Sequence, residues 1–188
     1  DYLFCVGYRR ETVQEHFGDG SRWNVRIRYA IEEEPLGTGG AVRNALPYLA
    51  GTFLLLNGDT WLDIDYRLFL ESHRCRVREE GYAGSVALVS TEERGAYGSV
   101  TMEPDRRIRS FSEKSPDAGG RGWINGGVLC LEPAIFRFIP ADKPSSLERE
   151  VIPAALSAGA GFFGFPVRGA FVDIGTPEGF RKIQKTIF

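Results

Sequence analysis

One short stretch indicates the fold: Phe53-Leu54-Leu55-Leu56-Asn57-Gly58-Asp59-Thr60. A run of four apolar residues ended by Asn and Gly is typical of a buried central strand, which we place at residues 52–57. In open α/β sheets the carboxyl ends of such strands border the binding crevice. Asp59 is therefore expected beside a ligand, although an Asx turn or a helix N-cap would explain the same residue.

Helical and extended patterns alternate around this stretch. Before it, the patterns predict strands at 3–6 and 25–31 and helices at 11–17 and 40–46. After it, they predict a helix at 66–78, extended segments at 85–89, 99–102, 107–111 and 128–131, helices at 133–138 and 146–156, strands at 162–167 and 170–174, and a closing helix at 177–188. The predicted class is α/β: a Rossmann-like, mostly parallel sheet flanked by helices, with antiparallel additions on one side.

Composition excludes several classes of protein. A length of 188 residues is typical of one domain, so we expect residues 1–188 to form a single domain. The 23 basic and 25 acidic residues leave a net charge of -2, which argues against a nucleic-acid partner. The longest apolar run, residues 53–56, is far too short to span a membrane. Cys5, Cys75 and Cys130 lack CxxC spacing, as expected of reduced cytoplasmic thiols.

The two histidines, His16 and His73, stand far apart in the sequence. Each falls in a stretch that reads as a polar-faced helix, which argues against a His-based triad or a His-ligated metal. Chemistry is therefore expected from carboxylates, amides, Lys, Arg and a hard cation.

A glycine cluster at residues 32–41 (EEEPLGTGGA) lies between a predicted strand and a predicted helix. Glycines let a planar or anionic ligand approach the backbone, and a helix N-terminus supplies free N–H donors. The cluster matches neither a P-loop nor the Rossmann fingerprint. A tight strand-to-helix turn stays open as the alternative.

A second acid follows a predicted strand in residues 171–178 (FVDIGTPE). Thr176 is the expected N-cap of the closing helix, which leaves Asp173 free for another role. Together with Asp59 it would make a split Mg²⁺ site, since Mg²⁺ takes one or two carboxylates and fills its shell with phosphate oxygens and water. Asp63 and Asp65 are predicted to be turn and cap residues.

Two more polar segments lie at 110–114 (SFSEK) and 122–128 (GWINGGV). Lys114 ends an extended segment, and an ammonium group suits a phosphate monoester. A Glu113–Lys114 surface pair and a simple turn at 125–127 are the open alternatives.

In this order and spacing, the four segments resemble the sugar-phosphate nucleotidyltransferase family over nearly the whole chain. The most specific matches are residues 34–41 (EPLGTGGA), 56–59 (LNGD), 124–127 (INGG) and 172–178 (VDIGTPE). Within the family the sequence is most similar to the D-glycero-D-manno-heptose 1-phosphate guanylyltransferases, with the mannose-1-phosphate guanylyltransferases next. The resemblance implies that a nucleoside triphosphate and a sugar 1-phosphate yield an NDP-sugar and pyrophosphate.

The resemblance also implies roles for individual residues. Asp59, Lys114 and Asp173 would be catalytic, with Asp59 and Asp173 holding Mg²⁺ and Lys114 contacting the sugar phosphate. Nucleotide binding would involve Glu32, Leu36, Gly37, Thr38, Gly39 and Gly58, and sugar binding would involve Glu113, Asn125 and Gly126. A carboxylate at Glu32 can accept from both N1–H and the 2-amino group of guanine, which favours GTP. A uridylyl- or thymidylyltransferase and a non-catalytic regulatory relative are the alternatives.

One part of the family pattern, a glycine-rich phosphate loop of the GGxGTR type, is expected before Tyr2. We therefore expect an N-terminal βα unit to be missing and residues 1–188 alone to be a poor catalyst. Such enzymes would act in the cytoplasm, supplying nucleotide-sugar for lipopolysaccharide, capsule or S-layer glycan. A homo-oligomer is compatible with the sequence, and no membrane partner is expected.

Overall fold

The protein is described by a computed structural model that covers residues 1–92, 99–112 and 120–187. In these ranges the strands are β1 (Tyr2–Val6), β2 (Ile27–Ile31), β3 (Phe53–Leu56), β4 (Thr60–Leu62), β5 (Gly84–Thr91), β6 (Ser99–Met102), β7 (Ile108–Ser112), β8 (Gly122–Leu131), β9 (Phe162–Val167) and β10 (Phe171–Asp173). The α-helices are α1 (Arg10–Phe17), α2 (Gly37–Asn44), α3 (Tyr66–Glu80), α4 (Ile152–Ser157) and α5 (Pro177–Ile187). The α/β class predicted from the alternating patterns is confirmed.

The N-terminal part of the chain is a β-α-β unit. β1 and β2 pair in parallel, from Tyr2 opposite Ile27 to Val6 opposite Ile31, and α1 connects them. Edge-to-face contacts hold the helix on this pair of strands, because the ring of Phe4 lies 5.2 Å from that of Phe17 and 5.9 Å from that of Tyr29. No residue of α1 is buried, so this unit depends on a thin aromatic cluster.

A six-stranded sheet forms the centre of the molecule, in the order β7-β6-β8-β5-β9, with β3 also paired to β8. β5 and β9 are parallel, whereas β8 runs antiparallel to β3, β5 and β6. β3, β5 and β9 therefore share one direction, as predicted. The antiparallel strands were expected on one side of the sheet, but β8 is inserted between β3 and β5.

The sheet is buried on both faces. Along β5, Val86 and Leu88 belong to one apolar cluster and Ala87 and Val89 to the other, as the period of two in a strand requires. α3 covers the second face through the fully buried Phe69, and α4 with the turns before it covers the first. This double cover gives the sheet a rigid frame from which its strand ends project.

Cys130 lies on the α3 side of the sheet and is fully buried. Burial raises the pKa of its thiol to about 12. The thiol is therefore protonated and unreactive in the folded protein.

Several element boundaries differ from the sequence prediction. α2 begins at Gly37 and not at Gly40, so four residues of the glycine cluster, 37–40, form its first turn. β8 begins at Gly122 and contains residues 125–127. These residues therefore belong to a strand, although a simple turn was an alternative from the sequence. β3 is half-buried, with Leu56 47% exposed, because β8 is its one partner among the described strands.

The helix predicted at 146–156 opens with a wide π-type turn, Leu147–Val151, before α4. Across the three described ranges, we find no helix with both the length and the apolar character needed to cross a bilayer.

Candidate active site

Asp59 and Asp173 lie side by side because β10 pairs with β4. The antiparallel register sets Asp173 opposite Thr60, and the amide of Ile174 donates to the carbonyl oxygen of Asp59 at 2.8 Å. Gly175 marks the gap between the carboxylates: a Cβ there would lie 3.2 Å from Oδ1 of Asp173 and 3.2 Å from Oδ2 of Asp59. The structure therefore brings together two acids that are far apart in sequence.

The paired carboxylates suit a small, hard dication. Mg²⁺ binds through one or two carboxylates and completes an octahedral shell with water and phosphate oxygens. Asp59 is exposed and Asp173 is half-buried, so their outer sides face a space that a ligand can enter. Over residues 1–92, 99–112 and 120–187, no three His, Cys, Asp or Glu side chains cluster as a metal site would require. Two carboxylates can hold an ion that completes its shell with phosphate oxygens and water.

The start of α5 keeps Asp173 in place. Thr176 accepts a hydrogen bond from the amide of Gly179 at 3.0 Å, which confirms its predicted role as the N-cap. Oδ1 of Asp173 accepts from the amide of Gly175 at 3.0 Å. A side chain at Gly179 would collide with the carbonyl oxygen of Asp173, so the helix approaches this strand end as closely as glycine allows.

Glu32 closes the loop between β2 and α2. It follows β2, and its Oε2 accepts from the amide of Leu36 at 3.1 Å. The carboxylate is half-buried. One carboxylate oxygen of Glu32 thus stabilises the loop. The other oxygen is the one with which Glu32 could bind a nucleotide base.

The glycines at the start of α2 serve packing against Ser145. Ser145 accepts from the amides of Gly39 and Gly40 through its carbonyl oxygen, at 2.8 and 3.4 Å, and donates its own amide to the carbonyl of Leu36 at 2.9 Å. A Cβ at Gly37 or Gly39 would lie 2.6 Å from an atom of Ser145. The expectation that this helix end offers free N–H donors is therefore wrong at Gly39 and Gly40.

Thr38 also makes contacts within the protein. Its hydroxyl accepts from the amide of Leu147 at 2.8 Å and donates to Oε2 of Glu148 at 3.0 Å. Because the hydroxyl both donates and accepts here, any contact of Thr38 with a nucleotide would use its backbone or methyl group. No local pattern indicates that Ser145, Leu147 or Glu148 contacts α2, because they lie more than a hundred residues from it in the sequence.

The predicted sugar side lies in a bulge of β8. The pairing of β8 with β5 skips residues between Asn125 and Leu129, and Oδ1 of Asn125 accepts from the amide of Gly127 at 3.0 Å. Gly126 is buried, and a Cβ there would lie 3.0 Å from the carbonyl oxygen of Ala87. The geometry therefore gives Gly126 a packing role that is independent of any ligand.

The same bulge contacts the segment that carries Asp59. The carbonyl of Gly127 accepts from the amide of Asn57 at 2.9 Å. Gly127 has φ +77°, and a Cβ there would lie 2.9 Å from Cγ2 of Thr60. Gly58 is exposed with open space around it. The segments 125–127, 57–60 and 173–175 thus form one corner, whereas Glu113 and Lys114 lie outside the described residues.

His73 is not on a polar face, contrary to expectation. It is fully buried, with Nδ1 2.9 Å from Oγ of Ser85 and Nε2 3.0 Å from Oε1 of Glu132. Glu132 also accepts from the hydroxyl of Thr52 at 2.6 Å. This network joins the start of β5 to the residues flanking β8 and β3, so it braces the edge of the sheet opposite Asp59. Its position four residues after Phe69 on α3 was the available signal.

Comparison with known proteins supports the family resemblance that the sequence motifs indicate. A family model described as nucleotidyl transferase matches residues 1–188. The D-glycero-alpha-D-manno-heptose 1-phosphate guanylyltransferase of Aneurinibacillus thermoaerophilus is 32% identical over 186 residues, which cover 98% of this chain and 77% of that protein.

Two further relatives are similar along almost the whole of this chain. The mannose-1-phosphate guanylyltransferase of Mycobacterium tuberculosis is 33% identical over 95% of this chain, which spans 49% of that protein. The crystal structure of HddC from Yersinia pseudotuberculosis complexed with GMP-PN superposes with a TM-score of 0.81 at 30% identity and covers 99% of this chain and 78% of that one.

Proposed function

This chain belongs to the nucleotidyl transferase family, and we propose that it transfers a guanylyl group from GTP to a heptose 1-phosphate, forming GDP-heptose and pyrophosphate. The heptose and mannose relatives described above are both guanylyltransferases, which favours GTP over UTP or dTTP. They also favour an enzyme over a regulatory relative without activity. We place the reaction in the cytoplasm, in the supply of nucleotide-sugar for a surface glycan.

The observation that carries the proposal is the pairing of β4 with β10. It sets the carboxylates of Asp59 and Asp173 on either side of Gly175. A protein that merely bound nucleotide-sugar would have little use for two acids at one point, because they repel both each other and the phosphates. Two acids there are useful if a dication lies between them and the substrates.

The chemistry follows from charge. An oxygen of the sugar 1-phosphate attacks the α-phosphorus of the triphosphate in line, and pyrophosphate leaves. A bound magnesium ion would supply positive charge that offsets the negative charge of the phosphates. Asp59 and Asp173 would hold that ion, and the rigid strand ends would keep the two acids in position while two polyanions approach each other.

The remaining residues would bind the two substrates. Lys114 would contact the phosphate of the sugar, and Glu113, Asn125 and Gly126 would line the sugar side. Glu32 would accept from the guanine edge through the oxygen that Leu36 does not occupy, with Leu36, Gly37 and Gly58 close to the nucleotide. Thr38 and Gly39 would contribute by shaping this wall, since the Thr38 hydroxyl and the Gly39 amide already have partners.

The test is release of pyrophosphate by the full-length protein with a panel of nucleoside triphosphates and sugar 1-phosphates. GTP with a heptose 1-phosphate should give the highest kcat/KM. Higher kcat/KM with UTP or dTTP would contradict the assignment of the base.

Asp59→Asn and Asp173→Asn should each lower kcat by on the order of 100-fold, since each removes a carboxylate from the proposed ion. Asp63→Asn is the matched control. Asp63 is an exposed acid that directly follows β4, whereas Asp59 directly precedes it, and Asp63 does not border the gap at Gly175. Circular dichroism should show that all three variants keep the fold. Wild-type turnover by either Asp59→Asn or Asp173→Asn would contradict the role of the pair.

A further inference from the structure

The first turn of α2 is held by a distant part of the chain. Leu36, at the N-cap position, makes no capping hydrogen bond with its side chain. The amides of Gly39 and Gly40 are instead bonded to the carbonyl of Ser145. Two of the four donors that a helix start leaves free are thus satisfied by a segment more than a hundred residues further along the chain.

The side chain of Thr38 adds two hydrogen bonds between α2 and the segment that follows Ser145. Its hydroxyl accepts from the amide of Leu147 at 2.8 Å and donates to Glu148 at 3.0 Å. The Glu148 side chain is half-buried, and a hydrogen bond to a carboxylate there is stronger than one between neutral groups. Glu148 therefore fixes the rotamer of Thr38 and, through Thr38, the direction in which the turn faces.

Glu148 is itself held in place by its own turn. Its Oε2 also accepts from the hydroxyl of Ser146 at 3.2 Å, and that hydroxyl accepts from the amide of Arg149 at 3.2 Å. The turn is of the π type, residues 147–151, a wide and uncommon form that is frequent at functional sites. A carboxylate shared by two hydroxyls in such a turn has little freedom to move.

We propose that Glu148 is a positioning residue for the nucleotide, which acts through Thr38 by holding residues 36–39 against the base. This inference rests on the proposed function, because it assumes that the turn faces a nucleotide. Glu148 itself touches no substrate. Small displacements of a binding wall weaken binding and orientation even when every contacting residue is present.

The test compares Glu148→Ala and Glu148→Gln in the full-length protein with GTP and the sugar 1-phosphate. Glu148→Ala should raise the KM for GTP about tenfold, which corresponds to the loss of one charge-assisted hydrogen bond. The kcat and the KM for the sugar 1-phosphate should stay within about twofold of the wild type. Glu148→Gln keeps an acceptor oxygen for Thr38 and should restore most of the affinity.

Glu150→Ala is the matched control. Glu150 lies on the same π-type turn and accepts from the amide of Ser146 at 3.0 Å. Within the described residues, Glu150 forms no hydrogen bond with α2. A merely structural role of the turn would make Glu150→Ala and Glu148→Ala alike, and that result would overturn the inference.

Thr38→Val tests the route and also serves if Glu148→Ala fails to fold. It removes the hydroxyl at nearly constant shape, so it should raise the KM for GTP as Glu148→Ala does. The double variant should be no worse than either single one, because both break the same link. Additive effects, or an unchanged KM for GTP in Thr38→Val, would contradict the inference.

Hydrogen exchange separates this inference from the proposed function. The Gly39 and Gly40 amides should exchange faster in Glu148→Ala than in the wild type, whether or not the protein is active. Unchanged exchange would contradict the inference alone. A wild-type protein that releases no pyrophosphate with any nucleotide would instead contradict the proposed function, whatever the exchange rates.

Discussion

The two helix starts beside the site, those of α2 and α5, are constructed in opposite ways. α5 is capped by its own Thr176, and the preceding Asp173 is left facing Asp59. α2 has no side-chain cap of its own, and Ser145 satisfies its first amides from a distant segment. Both starts are rich in glycine, yet the glycines of α2 make room for Ser145 and Gly175 leaves room between two acids. Because Thr176 caps α5, Asp173 does not have to serve as the cap of that helix.

The largest effect is expected from breaking the α5 start. A Cβ at Gly179 would overlap the carbonyl oxygen of Asp173, and this backbone atom cannot rotate aside as the end of a flexible side chain could. Gly179→Ala should therefore displace Asp173 and lower kcat by on the order of 100-fold, through the same loss of ion binding as Asp173→Asn. Pyrophosphate release and a urea unfolding curve measure the two consequences.

Gly51→Ala is the control for that variant, since a Cβ at Gly51 would meet nothing within 4 Å. It should behave as the wild type in both measurements. Equal activity of Gly179→Ala and Gly51→Ala would show that the position of Asp173 does not depend on the close approach of α5.

A smaller effect is expected from crowding the α2 start. In Gly39→Ala the new Cβ would lie 2.6 Å from Oγ of Ser145 and 3.1 Å from Cγ2 of Val151. The cost should be about 1–3 kcal/mol of unfolding free energy, as is usual when a packed interior receives an extra methyl group. Urea unfolding measures this cost directly.

Ser145→Ala should relieve part of that crowding by removing the nearest atom. The double variant Gly39→Ala/Ser145→Ala is therefore expected to be more stable than Gly39→Ala alone. If the second substitution brings no recovery, the contact with Ser145 is not what excludes a side chain at position 39.

The smallest effect is expected from Ser145→Ala by itself. Among the described residues, Oγ of Ser145 is a buried side-chain oxygen without a hydrogen-bond partner. Removing a buried, unsatisfied hydroxyl should leave stability unchanged or raise it by up to about 1 kcal/mol, because the backbone bonds to Gly39 and Gly40 stay in place. Thermal and urea unfolding would both detect a loss, which would indicate that the hydroxyl has a role in the α2 attachment.

The difference between the two helix starts also explains what the sequence could predict. Asp173 and Thr176 were predicted from neighbouring residues alone, because a cap and the acid before it act within one turn. Gly37 and Gly39 look equally suited to a ligand, but their partner is Ser145, which the local sequence does not reveal. Local patterns therefore predicted the Thr176 cap correctly and misassigned the amide donors of Gly39 and Gly40.

The approach of Asp59 to Asp173 depends on β4, which sequence analysis missed. β4 is three residues long, Thr60–Leu62, too short for an alternating pattern to stand out. The strand ends that carry both acids were predicted, whereas the pairing that joins them is a tertiary contact. Glu148 and Ser145 were missed for the same reason: each forms hydrogen bonds with residues that lie more than a hundred positions earlier in the sequence.

The pairing of β4 with β10 has a consequence for how the protein becomes active during synthesis. β4 emerges from the ribosome more than a hundred residues before its partner β10. The central sheet can begin to assemble on the nascent chain, but the corner that joins Asp59 to Asp173 cannot form before β10 has been synthesised. A polypeptide cut short before β10 would lack the pair of acids that the proposed function requires.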